Sequence, residues 1–388
     1  MQRRRFLTTS LAAGLYAAAT PQPLWSASSP NEMLRVAFVG VGGRGGANLK
    51  SITGVGGIEV AALCDVNRAN LNRAAGMHPQ ARTMEDFRKL YEHEGEFDAV
   101  VVSTTEHTHA FATLPALQCG KHVYCEKPLA HSVAECHALL DAAQARPELA
   151  TQTGNQGCST EGFRRSFEVL QAGLLGEVSE VHVWHPAHSW PNGVDRPATA
   201  DPVPTGLDWQ SWLGSAPPRP YCEEIYHPGK WRGWYDFGGG SLADFCCHGF
   251  QLAYRALDLG TPTRIEATGE GLGHESFATR CHVIYDFPAS GRRGPVKLHF
   301  YSGDNNLPPD HITGGPVGTT GCLLIGSEGT LSAGLWNTDC NIWWKGESKY
   351  RGADDPRLAE LPRTQPRIDT QVLKWDPRLA AKGERPRW

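Results

Sequence analysis

Between Leu34 and about residue 155 the chain alternates unbroken apolar runs with stretches that suit helices. LRVAFVG, IEVAALCD, FDAVVVST, KHVYCEKP and LATQTGN are the runs, and GGRGGANLKSI, HAFATLPALQCG and VAECHALLDAAQA lie among them, the second closing at Gly120. Apolar residues at consecutive positions, rather than at every second one, predict strands covered on both faces. Their alternation with helices across short links predicts a doubly wound parallel sheet with right-handed crossovers.

The pattern changes after about residue 155. Residues 186–240 are rich in Trp, Pro and Gly and show little periodicity, which predicts long ordered loops. SLADFCCHGFQLAYRAL has helical spacing, while RIEATGE, RCHVIYDFP, VKLHFYSG, TGCLLIGS and GTLSAGL read as strands, with GSEG a hairpin signal between the last two. The expected fold class is α/β: a parallel doubly wound sheet over 31–155, then an α/β domain with a largely antiparallel open sheet over 156–345. Residues 346–388 are Pro- and Arg-rich and predict an irregular segment.

A length of 388 residues suits two domains of ordinary size. With 20% charged residues and a net charge of -4, no basic face invites nucleic acid. Residues 1–30 stand apart: Arg3, Arg4 and Arg5 precede Phe6-Leu7, an apolar stretch runs from Leu11 to Ala19, and small residues follow around Ala27. This order predicts a twin-arginine export signal, recognition by that export machinery and a periplasmic or otherwise exported protein. No later run of 18 apolar residues would span a membrane. Eleven cysteines is an odd number, and Cys64, Cys119, Cys125, Cys136 and Cys281 sit in apolar patterns, so they are read as core residues. The adjacent Cys246-Cys247 pair is likewise read as packing on a helix.

Gly40, Gly42 and Gly45, with Gly43 and Arg44 among them, form G-x-G-x-x-G directly after the first apolar run. In that setting the first glycine permits the tight turn, the second lets a pyrophosphate approach the backbone and the third lets helix and sheet pack. Asp65 ends the next strand, twenty residues beyond Gly45, where its carboxylate suits ribose hydroxyls and repels a 2'-phosphate. The cofactor expected is NAD, with NADP kept open by the nearby Arg68.

CGKHVYCEKPLA, followed by GGGSLADFCCHGFQLAYRAL, resembles the glucose-fructose oxidoreductase and inositol dehydrogenase family, Gfo/Idh/MocA, over roughly residues 34–335. GNQG, SWPNGVDRP, LDWQSWLG and KWRGWYDFGGG are similar to an exported bacterial branch of it. The resemblance implies a Rossmann domain followed by an α/β domain whose open sheet often mediates dimers or tetramers. It also implies that Glu126-Lys127-Pro128 brings Lys127 to the nicotinamide and the reacting hydroxyl. An ammonium there favours a developing alkoxide.

Asp244, His248 and Gln251 share one face if their segment is a continuous helix. His248 is then the candidate acceptor of the hydroxyl proton, with Asp244 orienting its ring or contacting substrate. Gln251 stands where family members commonly have Asp. In Thr104-Thr105-Glu106-His107-Thr108-His109, which resembles the loop at the nicotinamide end, Thr104 and His109 are the candidate contacts. Trp184, Trp190, Trp231 and Trp234, flanked by Asn192, Asp195, Arg196 and Lys230, suit the apolar faces and hydroxyls of a carbohydrate. The substrate-binding candidates are Trp190, Arg196, Trp231, Trp234 and Gln251. His185 and His188 with Asp244 and His248 include metal-ligand types, but their spacing matches no compact metal motif, and no metal is expected.

Export of a folded chain implies a tightly held cofactor that is regenerated within each cycle. Three activities fit: oxidation of a sugar, polyol or glycoside hydroxyl coupled to a second substrate, redox-neutral glycoside cleavage by transient oxidation and elimination, or carbohydrate binding without catalysis.

Overall fold

The computed structural model describes residues 33–186, 190–291, 293–313, 317–352 and 355–365. The twin-arginine segment, His188 and residues 366–388 lie outside the described residues. The first half folds as a six-stranded parallel sheet of β1 (Leu34–Val39), β2 (Ile58–Cys64), β3 (Arg82–Met84), β4 (Ala99–Val102), β5 (His122–Glu126) and β6 (Thr151–Gly154). Its order is β3-β2-β1-β4-β5-β6. Helices α1 (Gly43–Thr53), α2 (Arg68–Met77), α3 (Glu106–Gln118) and α4 (Val133–Gln144) connect the strands. Along β1, Val36 and Phe38 enter one apolar cluster while Ala37 and Val39 enter another. Those two cores, one on each face, are why the runs are unbroken. Strand order reverses between β1 and β4, and at such a point the loops beyond the strand ends diverge and open a crevice.

Beyond β6, helix α5 (Glu161–Gln171) precedes a second sheet. Its strands are β7 (Val178–His185), β8 (Arg264–Glu270), β9 (Arg280–Phe287), β10 (Val296–Ser302), β11 (Gly321–Gly326), β12 (Gly329–Ser332) and β13 (Asn341–Trp344), in the order β13-β12-β11-β7-β10-β9-β8. Every neighbouring pair is antiparallel except β7 and β10, which are parallel. The largely antiparallel sheet is as expected, but β7 at its centre was not foreseen, although the valines of VSEVHVWH alternate with polar and aromatic residues as in a strand with one face on a core.

Val181 and Val183 of β7 face a core shared with Leu298, Phe300, Leu324 and Leu252. The expected single helix runs as two consecutive segments, α6 being the short Trp209–Leu213 turn, α7 Gly240–Gly249 and α8 Gln251–Ala256. A Cβ on Gly249 would lie 2.4 Å from a methyl of Val183. That absent side chain lets α7 lie directly on β7 and sets the depth of the neighbouring His248.

After β13 the chain returns to α5 with only a short helical turn, Pro356–Ala359. Arg165 of α5 is 3% exposed and pairs with Glu168 at 2.8 Å, while its guanidinium also donates to the carbonyls of Leu358 and Leu361. Glu168 accepts in turn from the Gln365 N–H at 3.0 Å. Replacing one member of a buried pair strands the other charge. Arg165→Ala is therefore expected to cost about 3–5 kcal/mol, read as a fall in the urea midpoint at unchanged slope; an unaltered midpoint would show that the returning segment contributes nothing to stability.

Candidate active site

The glycine turn is built by exclusion. Gly40 has φ +80°, and a Cβ on Gly45 would lie 1.8 Å from the Gly40 carbonyl oxygen, so only glycine lets α1 start this close to the end of β1. The N-cap of α1, Gly42, offers no side chain, which leaves the positive end of the helix to an anion. Asp65 holds the turn from the next strand, its Oδ2 accepting from the N–H groups of Val41 at 2.9 Å and Gly42 at 3.1 Å. Burial raises the Asp65 pKa, opposed by the N–H groups of Asn67, Val41 and Gly42.

A cavity of about 600 Å³ opens in front of this turn. Its floor includes Gly40, Gly42, Gly43, Arg44, Asp65, Ser103 and Thr104, and its far wall is Trp212, His227, Trp231 and Arg232. The wall is pinned across the opening: the Arg68 N–H donates to the Gly206 carbonyl at 2.8 Å, and the Asp208 N–H to that of Val66 at 2.9 Å. Behind it Trp209, Trp212, Tyr226, Trp234 and Phe237 form a closed aromatic cluster. The glycine cradle, uncapped helix and enclosed volume together fit a dinucleotide.

Where the strand ends of the first sheet meet α7, buried polar groups converge. Lys127, just past β5, donates from Nζ to Asp244 Oδ1 at 2.5 Å and to the Asp244 carbonyl at 2.9 Å. Arg232 reaches the same Oδ1 at 3.3 Å. Burial opposes ionisation of Asp244, but Lys127 and Arg232 outweigh it and pull the carboxyl down to about 2. Burial also works against the Lys127 ammonium, and Asp244 outweighs it, leaving that pKa raised. The pair is thus ionised.

Glu106, at the start of α3, accepts from the Gly239 N–H at 2.8 Å. Burial, then repulsion by Asp244, pushes its pKa up to about 7.

His248 is held by Asn155. The Asn155 amide donates to the Cys247 carbonyl at 2.5 Å, which turns its oxygen toward His248 Nδ1 at 2.6 Å. That orientation places the imidazole proton on Nδ1 and the lone pair on Nε2. Nε2 is buried with no hydrogen-bond partner among the described residues. Burial, then the Lys127 charge, lowers the His248 pKa to about 3, so the ring is neutral.

The structure therefore brings together Lys127, Asp244 and His248, with Trp190 and Trp231 on either side of Arg232, whose guanidinium lies 6.0 and 4.3 Å from their ring centres. Gln251 opens α8, its Oε1 buried without a partner among the described residues. Other expectations need correction. Asp244 does not orient His248, because its carboxylate is occupied by the two cations and Asn155 takes the ring. His109 makes no contact with the cavity, since Nδ1 and Nε2 face the carbonyls of Pro128 and Thr104 at 2.7 and 3.2 Å. Glu126 lies below the turn, accepting from Asn48 at 2.9 Å and Tyr124 at 3.1 Å. Trp234 is 1% exposed and donates to the Ile225 carbonyl, and Arg196 is held by both oxygens of Glu275 at 2.6 Å, so neither faces the site. Trp184 belongs to the opposite face of the second sheet, with Tyr301 and Leu323. His185 stacks on Phe245 at 3.6 Å. Arg68 is turned to Glu85 at 2.8 Å. Glu106, Asn155 and Arg232 were not singled out, although GNQG and the acidic first turn of α3 were both visible.

A parallel sheet with a glycine turn at its switch point, joined to a mixed sheet whose helix completes the site, is the arrangement of a family of NAD-binding oxidoreductases. The chain belongs to the Gfo/Idh/MocA oxidoreductase family: residues 34–153 match its NAD-binding Rossmann fold and residues 167–288 its C-terminal alpha/beta domain. It is 34% identical over 156 residues to glycosyl hydrolase family 109 protein 2 of Phocaeicola vulgatus, covering 38% of this chain and 37% of that one. It is 31% identical over 183 residues to inositol 2-dehydrogenase of Gluconacetobacter diazotrophicus, covering 46% and 54%. The match thus spans roughly a third to a half of these relatives' lengths. Among solved structures, the WlbA dehydrogenase of Bordetella pertussis, in complex with NADH and UDP-GlcNAcA, superposes with a TM-score of 0.57 at 16% identity over 82% of this chain and 84% of that one.

Because Glu106 goes from 4.5 to about 7 on folding, the folded state holds the extra proton between those values, and stability falls as pH rises through that window. Glu106→Gln keeps the acceptor for Gly239 without the charge. The variant is expected to match wild type at pH 4.5 and to exceed it by roughly 3 kcal/mol at pH 8, measured by chemical denaturation at both pH values. An equal difference at the two values would mean that Glu106 ionises normally.

Proposed function

We propose that the protein oxidises a hydroxyl of a sugar, polyol or glycoside with an NAD that stays bound and is restored in each turnover. The observation that carries this reading is the buried, partnerless Nε2 of His248 beside the Lys127–Asp244 pair, at the strand ends that flank the dinucleotide cavity. The Gly40–Gly45 turn with Arg44 would hold the pyrophosphate, Asp65 the ribose hydroxyls, and Thr104 the end nearest Lys127. Asp65, with Glu85 neutralising Arg68, favours NAD over NADP. Bound nicotinamide supplies a hydride acceptor.

The chain's own groups handle the proton. Lys127 favours alkoxide character on the reacting hydroxyl, and His248 Nε2 accepts the proton as that character develops. Negative charge on the substrate offsets the Lys127 repulsion that otherwise lowers the His248 pKa. A ring this reluctant to stay protonated returns the proton readily, which suits an oxidation that is later reversed. Trp190, Trp231 and Arg232 offer flat faces and a charge to the sugar. The wall pinned over the cavity hinders cofactor exchange, in keeping with export by the twin-arginine route to a compartment without free NAD. Assembly into dimers or tetramers through the open sheet belongs to the same reading.

Similarity to the glycosyl hydrolase relative favours a second reading, cleavage of a glycoside with no net redox change. Transient oxidation would acidify a neighbouring C–H, a base would remove that proton as the glycosidic substituent departs with a proton of its own, water would add to the resulting unsaturated ketone, and return of the hydride would restore the hydroxyl with no net redox change.

Denaturing the purified protein is expected to release near-stoichiometric NAD, identified by chromatography and absorbance; no nucleotide, and none bound on addition, would leave a carbohydrate-binding relative without catalysis. Glycoside turnover without change in the bound cofactor would select the second reading. For either activity, Asn155→Ala is expected to lower kcat about 10²- to 10⁴-fold with NAD content unchanged. Full activity in that variant would remove His248 from the mechanism.

A further inference from the structure

The outward face of the second sheet, opposite the one that packs on α7, carries an unusual row of side chains. In register across β7, β10 and β9 stand His182 beside His299, and Tyr301 beside His282, with Glu180 two residues before His182 on the same face. His182 is 2% exposed, and sheet faces seldom bury imidazole without a partner or a purpose. One ligand atom from each of Glu180, His182 and His299 lies within 4.8 Å of the others.

The second ring nitrogen of each histidine is already committed. Tyr301 Oη lies 3.1 Å from His182 Nδ1, and His282 Nε2 lies 3.0 Å from His299 Nδ1. This leaves Nε2 of both rings for an ion, with Glu180 Oε2 already 3.0 Å from Nε2 of His182. The rings of His182 and His299 are stacked, parallel within 4° with centres 4.6 Å apart, so the two side chains stand side by side and binding of one ion would tilt both rings toward it. Lys297, opposite Glu180 in register, turns away to Asp286 at 2.8 Å and leaves the glutamate charge available. Glu180 is partly exposed and gives an ion a path from solvent.

We propose that Glu180, His182 and His299 bind a divalent transition-metal ion of the zinc class, with solvent at the fourth position and with Tyr301 and His282 fixing the two rings. Two imidazoles and a carboxylate are a sufficient zinc set, and ligating histidines characteristically use the other ring nitrogen in a supporting hydrogen bond. The site lies across the sheet from Lys127 and His248 and is independent of the proposed oxidation.

The test uses tag-free full-length protein stripped with chelator and titrated with Zn²⁺ by calorimetry, with Co²⁺ absorption reporting coordination geometry. Wild type is expected to bind one equivalent and to give the intense visible bands of four-coordinate cobalt. Glu180→Gln with His299→Gln, both at partly exposed positions, is expected to abolish that binding, and His282→Ala to weaken it about 10- to 100-fold. Thermal unfolding of the metal-free variants confirms that they are folded. Absence of zinc binding in wild type, or an unchanged affinity in the folded double variant, overturns the assignment.

Discussion

The buried pair of Lys127 and Asp244 is the contact on which the site depends. One partner stands at the end of a parallel strand and the other on a helix carried by the second sheet, 117 residues later in the chain. Taking both charges out of water is costly, and the attraction offsets that cost only with close geometry and further hydrogen bonds. The Asp244 carbonyl and Arg232 supply them. Close contact of the two halves is therefore a condition for either charge to be tolerated, and the same contact brings Asn155 to His248 and Glu106 to Gly239. Three strand ends, those of β4, β5 and β6, each send one polar group to α7.

That arrangement sorts the charges. Asp244 stays ionised because two cations face it, whereas Glu106, buried and then repelled by that carboxylate, is displaced toward neutrality although the same cations oppose the shift. Burial, with the Lys127 charge second, keeps His248 neutral. A buried ammonium beside an imidazole nitrogen whose lone pair meets no donor among the described residues is the arrangement that the proposed oxidation of a hydroxyl would use.

Much of the first sheet was legible because its strands are buried on both faces and each residue type is dictated by core packing. The glycine turn and Asp65 were legible because steric exclusion and strand-end position leave few residue choices. The second half was less so. β7 mixes inward valines with an outward Glu-His-Trp series, and α5 buries Arg165, whose partners Leu358 and Leu361 arrive only with the chain's return after β13. The tryptophans show the limit most clearly: Trp231 borders the cavity, Trp234 three residues on is sealed among Tyr226 and Phe237, and Trp184 lies on the far side of a sheet. Their identity announces a large apolar face, but only the tertiary course decides what that face meets. Asn155 takes the role expected of Asp244 for a similar reason, since the partner that orients the imidazole comes from a strand end distant in sequence.

The segment from Gly206 to Arg232 links these points to dynamics. It has little regular structure, yet its backbone is tied to Val66 and Arg68 beside Asp65, its aromatic residues pack into a cluster of their own, and its last residue touches Asp244. A nucleotide leaving the cavity must displace this wall, which would break backbone hydrogen bonds and disturb the Asp244 charge network together. On the proposed reading, retention of the cofactor and integrity of the groups that would move the proton are thus coupled through Arg232. That coupling would give the proposed oxidation a physical reason to finish before anything but product is released.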